Sequence, residues 1–139
     1  MIRSNTYGLP APMPTLDPDN APFWEATVRG ELVLPRCAAC DLVLWYPKKF
    51  CTGCASSDIA WTKASGLGTV YSYTITHRGA GEYTHVVPYV YAYVELDEGP
   101  RIVTNIVDAD PADVFIGQRV SAVFDPAGSH AALVRFRAV

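Results

Sequence analysis

Cys37-Ala38-Ala39-Cys40 and Cys51-Thr52-Gly53-Cys54 hold all four cysteines of this 139-residue chain. Each Cys-x-x-Cys turns two thiolates onto one ion, and two such knuckles complete a tetrahedral shell of sulfur. The ten residues between them, 41–50, allow a short hairpin to bring the knuckles together. Every position of the shell is taken, so no slot remains for water or substrate and the metal is structural. Zinc is the expected occupant. Iron in a rubredoxin-like site is the competing one, because the ligand set alone does not separate them.

Around this module the sequence divides into three parts. Residues 1–18 carry Pro10, Pro12, Pro14 and Pro18 with little apolar periodicity, and read as an extended arm, either loose or laid on a partner. Residues 19–63 combine a helix with the ribbon. Asp19 or Asn20 can cap the helix, Pro22 suits its first turn and Gly30 ends it. Phe23, Trp24, Ala26 and Val28 give it apolar surface for packing against the ribbon. Glu31–Leu34 reads as a strand entering the first knuckle, and Leu42–Tyr46 as a strand leaving it. A module this small buries little apolar surface, so metal must supply much of its stability.

Residues 64–139 have the texture of β-structure. Thr69–Thr76 is rich in β-branched and aromatic residues. Val86–Leu96 alternates, with Val90, Ala92, Val94 and Leu96 on one face and Tyr89, Tyr91, Tyr93 and Glu95 on the other. Arg101–Val107, Val120–Phe124 and Ala131–Arg137 complete five strands, with a brief turn at Asp108–Asp113. The expected fold is mainly β: an N-terminal helix, a four-cysteine zinc ribbon, then a five-stranded OB-fold barrel.

Composition narrows the function. Half the residues are apolar, 18% are charged and the net charge is −3, with an isoelectric point near 5.5. Proteins that live on phosphate backbones carry a basic excess, so nucleic-acid binding is disfavoured. No apolar run approaches the roughly 20 residues of a membrane span. The opening Met1-Ile2-Arg3-Ser4-Asn5 is no signal peptide, so a cytoplasmic, reducing compartment is expected, in keeping with metal-binding thiolates.

The residues present no catalytic constellation. No serine sits in a nucleophile elbow, no glycine-rich loop suits a phosphate, and the cysteines are committed. His77 and His85 flank a loop that also carries Arg78 and Glu82, which either binds an anionic ligand or solvates the loop. Lys48 and Lys49 form the only adjacent basic pair, placed to meet a phosphate such as that of coenzyme A or to solvate a turn. Tyr89, Tyr91 and Tyr93, with Tyr71 and Tyr73 on the preceding strand, have three uses: core, partner interface or base stacking.

Several phrases together resemble one family. They are Phe23-Trp24-Glu25-Ala26, Gly30-Glu31-Leu32, both knuckles, Gly66-Leu67-Gly68-Thr69-Val70-Tyr71-Ser72, Pro88-Tyr89-Val90, Val94–Arg101, and Ile116-Gly117 ahead of Val120. They are similar to DUF35, the zinc-ribbon and OB-fold proteins associated with acyl-CoA metabolism. The resemblance covers residues 20–137. It departs at Asp41, where many members have glycine, and at Tyr46-Pro47-Lys48-Lys49, where many have Pro-Pro-Arg.

The resemblance implies a non-catalytic accessory subunit of a thiolase-fold enzyme, whose partner holds the catalytic residues while the small chain shapes the path of an acyl-CoA thioester. A retro-aldolase cleaving a β-hydroxyacyl-CoA, such as a steroid side-chain thioester, is the first expectation. Thiolase, acyltransferase and hydroxymethylglutaryl-CoA synthase complexes are alternatives, and an OB-fold nucleic-acid-binding protein is the rival from another class. On the accessory reading Phe23, Trp24, Tyr89, Tyr91 and Tyr93 are the candidate partner contacts. Lys48, Lys49, Arg78 and His85 are the candidate substrate-path residues.

Overall fold

A computed structural model describes residues 6–139. One helix, α1 (Ala21–Val28), precedes seven strands: β1 (Val33–Cys37), β2 (Ile59–Lys63), β3 (Leu67–Thr76), β4 (Tyr89–Leu96), β5 (Arg101–Ile106), β6 (Arg119–Pro126) and β7 (Ala132–Ala138). β1 and β2 pair antiparallel as a ribbon, and the other five close a barrel in the order β3-β4-β5-β7-β6. The expected architecture is present, with all five barrel strands within a few residues of their sequence positions.

Alternation builds the barrel. Val90, Ala92, Val94 and Leu96 of β4 are buried, and Tyr91 and Tyr93 face out. The inward residues meet Val70, Ile102, Val120 and Phe136 in one core. Closure between β3 and β6 places Gly68 opposite Val120. A Cβ on Gly68 would lie 2.6 Å from Val94 Cγ1 and 2.8 Å from the Glu95 carbonyl oxygen, so only glycine lets β3 pass this close to β4. A bulge between Val70 and Ser72 leaves Tyr71 exposed.

The main core runs continuously from helix to ribbon to barrel: Phe23, Leu32 and Leu34 pack with the strand residues. The Thr27 hydroxyl donates to the Trp24 carbonyl and accepts from the Ala132 amide, which ties α1 to β7. Asn20 takes the cap position without bonding a helix amide. Its side chain instead accepts from the Asp17 amide and donates to the Thr15 carbonyl and the Tyr46 hydroxyl.

Two expectations are corrected. Residues 42–46 form no strand: Val43 makes a single bridge to Arg36, and the Leu44 amide reaches the Pro35 carbonyl. Leu44 turns inward beneath the cysteines, and β1 takes its partner from Ile59–Lys63. The arm is not loose around Tyr7–Pro10, which lies on the chain's own barrel; Met1–Asn5 lie outside the described residues. Leu9 is buried with Val107 and Val123, and Tyr7 packs alongside.

A buried ion pair locks this arrangement. Arg135 Nε donates to Asp125 Oδ2 at 2.9 Å, Nη1 to Asn105 Oδ1 at 2.6 Å and Nη2 to the Pro10 carbonyl at 2.6 Å. One guanidinium thus joins β6, β5 and the arm. Truncating it strands the Asp125 carboxylate in the interior. Arg135→Met is expected to lower stability by about 3–5 kcal/mol in chemical denaturation. Amide exchange in residues 7–13 should rise with it, whereas a loss below about 1 kcal/mol with the arm still protected would show that the pair does not hold the arm.

Candidate metal centre and aromatic face

The two knuckles repeat one local design. The Asp41 amide donates to the Cys37 carbonyl and the Ala55 amide to the Cys51 carbonyl, while Cys37 and Cys51 donate their own amides to Leu42 and Ser56. Asp41 and Ala55, each just past its second cysteine, sit in the left-handed region at φ 64° and 66°. In each knuckle the first cysteine is buried and the second exposed. The departure from glycine at Asp41 therefore falls where glycine is favoured. Aspartate tolerates that conformation, and its carboxylate pairs with Arg36 at 3.2 Å.

All four sulfurs lie within 4.8 Å of one another. Cys37 and Cys54 are 3.5 Å apart, Cys40 and Cys51 3.6 Å, too far for a covalent bond and close to the about 3.8 Å separation implied by a tetrahedral Zn–S shell. The Gly53 amide points at Cys51 Sγ from 3.3 Å, the orientation a thiolate asks for.

Without a cation the four cannot all be charged. The Leu42 amide draws the Cys40 thiol down, but the other three sulfurs and burial outweigh it and push it up to about 12. Burial raises Cys51, but the amides of Cys54 and Gly53 and the neighbouring thiols outweigh that and bring it down to about 7. A divalent ion resolves the conflict by making every sulfur a thiolate. The residues fit structural zinc: four donors, a closed shell, and no position left for a reacting group.

The remaining candidates do not form a second site of this kind. Lys49 pairs with Asp19 at 3.4 Å and is largely solvated. Lys48 is exposed in the same turn, while Arg78 and His85 are exposed in the β3–β4 loop. The aromatic set also divides. Phe23 is only 3% exposed and belongs to the core, so it is withdrawn from the partner contacts. Tyr89 is half-buried between Tyr83, whose ring centroid is 5.5 Å away, and the arm-covered cluster. Trp24 is half-buried. Tyr91 and Tyr93 stand free at 50% and 46% exposure.

The sequence grouped Tyr71 with them but did not disclose Val103. Val103 is 49% exposed and pairs with Tyr93 across the β4–β5 ladder. Tyr71 is exposed on the bulge, with the Arg101 guanidinium 3.7 Å above its ring. Arg101 is also bound to Glu95 at 3.0 Å. The outer face of β3, β4 and β5 therefore carries three exposed tyrosines, with Ser72 and Thr74 of β3 opposite Tyr93 and Tyr91, and Arg101 and Glu95 neutralise each other. Phe115 and Ile116, exposed in the β5–β6 loop, sit next to Gly117, whose amide bonds to the Val70 carbonyl beside the bulge. The alternation of β5 was the signal available for Val103.

Family models match residues 24–60 as the ChsH2 rubredoxin-like zinc ribbon domain and residues 61–125 as the ChsH2 C-terminal OB-fold domain. A DUF35 domain-containing scaffold protein of Methanocaldococcus jannaschii is 39% identical over 94 residues, 67% of each chain. A probable enoyl-CoA hydratase alpha subunit of Thermomonospora curvata is 41% identical over 78% of this chain. The 3-oxo-4,17-pregnadiene-20-carboxyl-CoA hydratase alpha subunit of Mycobacterium tuberculosis is 34% identical over 80%. The chain spans about a third of each hydratase subunit, 34% and 35% respectively. Among solved structures, the Ltp2-ChsH2(DUF35) aldolase superposes with a TM-score of 0.81 at 38% identity, over 91% of this chain and 98% of that one.

Two outcomes are expected at the metal centre. Fresh protein carries one metal ion per chain, colourless if zinc and red if ferric iron. Cys40→Ser or acidification should release it and unfold the ribbon, because structural zinc contributes about 10–16 kcal/mol in small modules. Well under one ion per chain by elemental analysis contradicts this. Ala55→Gly, which relieves a side chain held at positive φ, is expected to stabilise the loaded protein by about 0.5–1 kcal/mol in urea unfolding. A loss of stability would mean that the Ala55 methyl makes a contact worth more than the strain.

Proposed function

The chain belongs to the DUF35 family of zinc-ribbon and OB-fold proteins, and from that premise we propose that it is a non-catalytic accessory subunit of a thiolase-fold acyl-CoA enzyme. The observation that carries this reading is the outer face of β3, β4 and β5. Tyr71, Tyr91, Tyr93 and Val103 are all roughly half exposed, beside a charge pair that satisfies itself. Solvated sheet faces are usually charged, and a cluster of exposed aromatic residues of this kind marks an interaction site. Tyr91 and Tyr93 are the anchors, with Trp24 at the edge. The metal shell has no open position, so it supports the fold and takes no part in a reaction.

Within that class the reading is a retro-aldolase acting on a β-hydroxyacyl-CoA, such as a steroid side-chain thioester. The likeness to an Ltp2-ChsH2(DUF35) aldolase, covering nearly all of that chain, supports it. The name of the pregnadiene-carboxyl-CoA relative points to the same substrate class. In such a cleavage the β-hydroxyl loses its proton and becomes a carbonyl as the Cα–Cβ bond breaks. The electron pair left on Cα, stabilised by the thioester, takes up a proton. The base and acid for these transfers belong to the partner. Lys48, Lys49, Arg78 and His85 are assigned to the approach of the CoA moiety. Base stacking on the same face is disfavoured, because its cation, Arg101, is already paired and the chain's net charge is −3.

Co-expressed with its thiolase-fold partner, the chain is expected to elute as a stable hetero-oligomer that cleaves β-hydroxyacyl-CoA, while the isolated chain does not. Tyr91→Ala is expected to weaken association by more than about 2 kcal/mol, roughly thirtyfold. Elution as a free monomer beside that partner would overturn the subunit reading, and turnover by the chain alone would overturn its non-catalytic character.

A further inference from the structure

The four sulfurs are not evenly shielded. Cys37 and Cys51, the first cysteine of each knuckle, are 0% and 1% exposed, whereas Cys40 and Cys54 are open to solvent. Each exposed cysteine has a buried one of the other knuckle beside it. Cys54 lies 3.5 Å from Cys37, and Cys40 lies 3.6 Å from Cys51. A disulfide spans about 2 Å, so each pair closes by a movement of about 1.5 Å shared between two side chains.

These pairs run across the ribbon and are nested, Cys40 with Cys51 inside Cys37 with Cys54. Their effect on the fold differs from closure within a knuckle, which leaves the two loops unconnected. Cys37 and Cys51 form the ribbon's small core with Leu44, and Cys37 ends β1 opposite Ile59 of β2. Bonds that join the knuckles therefore hold the same contacts that the metal holds. An exposed cysteine beside a second one that can resolve it is the arrangement of a peroxide-reactive pair.

We propose that the four thiolates form a reversible redox switch, in which peroxide converts the metal-loaded ribbon into a metal-free one clipped by Cys37–Cys54 and Cys40–Cys51 disulfides. The exposed thiolate of Cys40 or Cys54 attacks peroxide. The O–O bond breaks, the sulfur becomes a sulfenic acid and hydroxide leaves. The buried partner's thiolate attacks that sulfur, the S–S bond forms and a second hydroxide leaves. Over both pairs, four thiolates are oxidised to two disulfides, two peroxides are reduced and four hydroxides are released. The chain then has no thiolate left to hold the ion. A dithiol reductant returns the electrons and restores the ligands. All four sulfurs belong to this chain, so the switch does not depend on the subunit assignment.

The zinc-loaded full-length chain is treated with hydrogen peroxide beside a chromogenic zinc indicator, then alkylated and cut with trypsin. Cleavage at Lys48 and Lys49 leaves Cys37 and Cys40 in one peptide and Cys51 and Cys54 in another, so only cross-knuckle disulfides join the two. The expected result is joined peptides and about one zinc released per chain for about two peroxides consumed. At substoichiometric peroxide, alkylation should mark Cys40 with Cys51, or Cys37 with Cys54, as the cysteines still reduced. Dithiothreitol with zinc should return separate, fully alkylated peptides. Amides of β1 should stay protected from exchange in the oxidised chain and lose protection when zinc is chelated under reducing conditions. Separate peptides that each carry their own disulfide, zinc retained under peroxide, oxidation that dithiothreitol does not reverse, or β1 amides as open after oxidation as after chelation would overturn the proposal.

Discussion

Four sulfurs packed within 4.8 Å of one another cannot all be charged without a cation between them, and the rest of the structure depends on that cation. The small core of the ribbon consists of Cys37, Leu44 and Cys51, with Ile59 alongside. Two of its three buried residues are therefore ligands, so the metal site is the ribbon's interior and not an addition to it. With the knuckles closed, β1 ends at Cys37 in register with Ile59. That register sends Leu32 and Leu34 into the main core beside Phe23. Helix, ribbon and barrel then share one apolar interior, which a ribbon without its metal is too small to sustain.

The barrel spends its inward positions on stability and leaves its outward tyrosines exposed. The alternation that buries Val90, Ala92, Val94 and Leu96 necessarily exposes Tyr91 and Tyr93, because successive strand residues point to opposite faces. At the arm the chain covers its own apolar surface: Leu9 packs on Val107 and Val123, and Arg135 holds the Pro10 carbonyl. Across β3, β4 and β5 the exposed tyrosines stay uncovered, and the proposed partner subunit would cover them. The division of labour follows from the chemistry present. On the proposed reading, a closed metal shell and bonded polar groups organise a surface, and the reacting groups come from the partner.

Sequence disclosed what is set by local pattern. Cys-x-x-Cys spacing specifies each knuckle within a few residues, and strand periodicity exposed both the five barrel strands and the parity of β4. Long-range contacts were hidden. The apolar run at 42–46 resembles a strand, yet Leu44 is drawn under the sulfurs and the ribbon's second strand comes from Ile59–Lys63. Phe23 and Trp24 are adjacent on one helix, and nothing local says that the first is core and the second half-buried. The docked arm depends on Arg135, 125 residues away from Pro10, which is a fact of assembly.

The account is tested most directly by footprinting the exposed tyrosines with a carbene or an iodinating reagent, in the free chain and in the presence of the proposed thiolase-fold partner. Tyr46, 48% exposed on the ribbon, serves as the internal reference. The account requires Tyr71, Tyr91 and Tyr93 to be labelled in the free chain and protected together in the complex, with Tyr46 unchanged. Labelling of Tyr91 and Tyr93 that persists undiminished in the complex would contradict it.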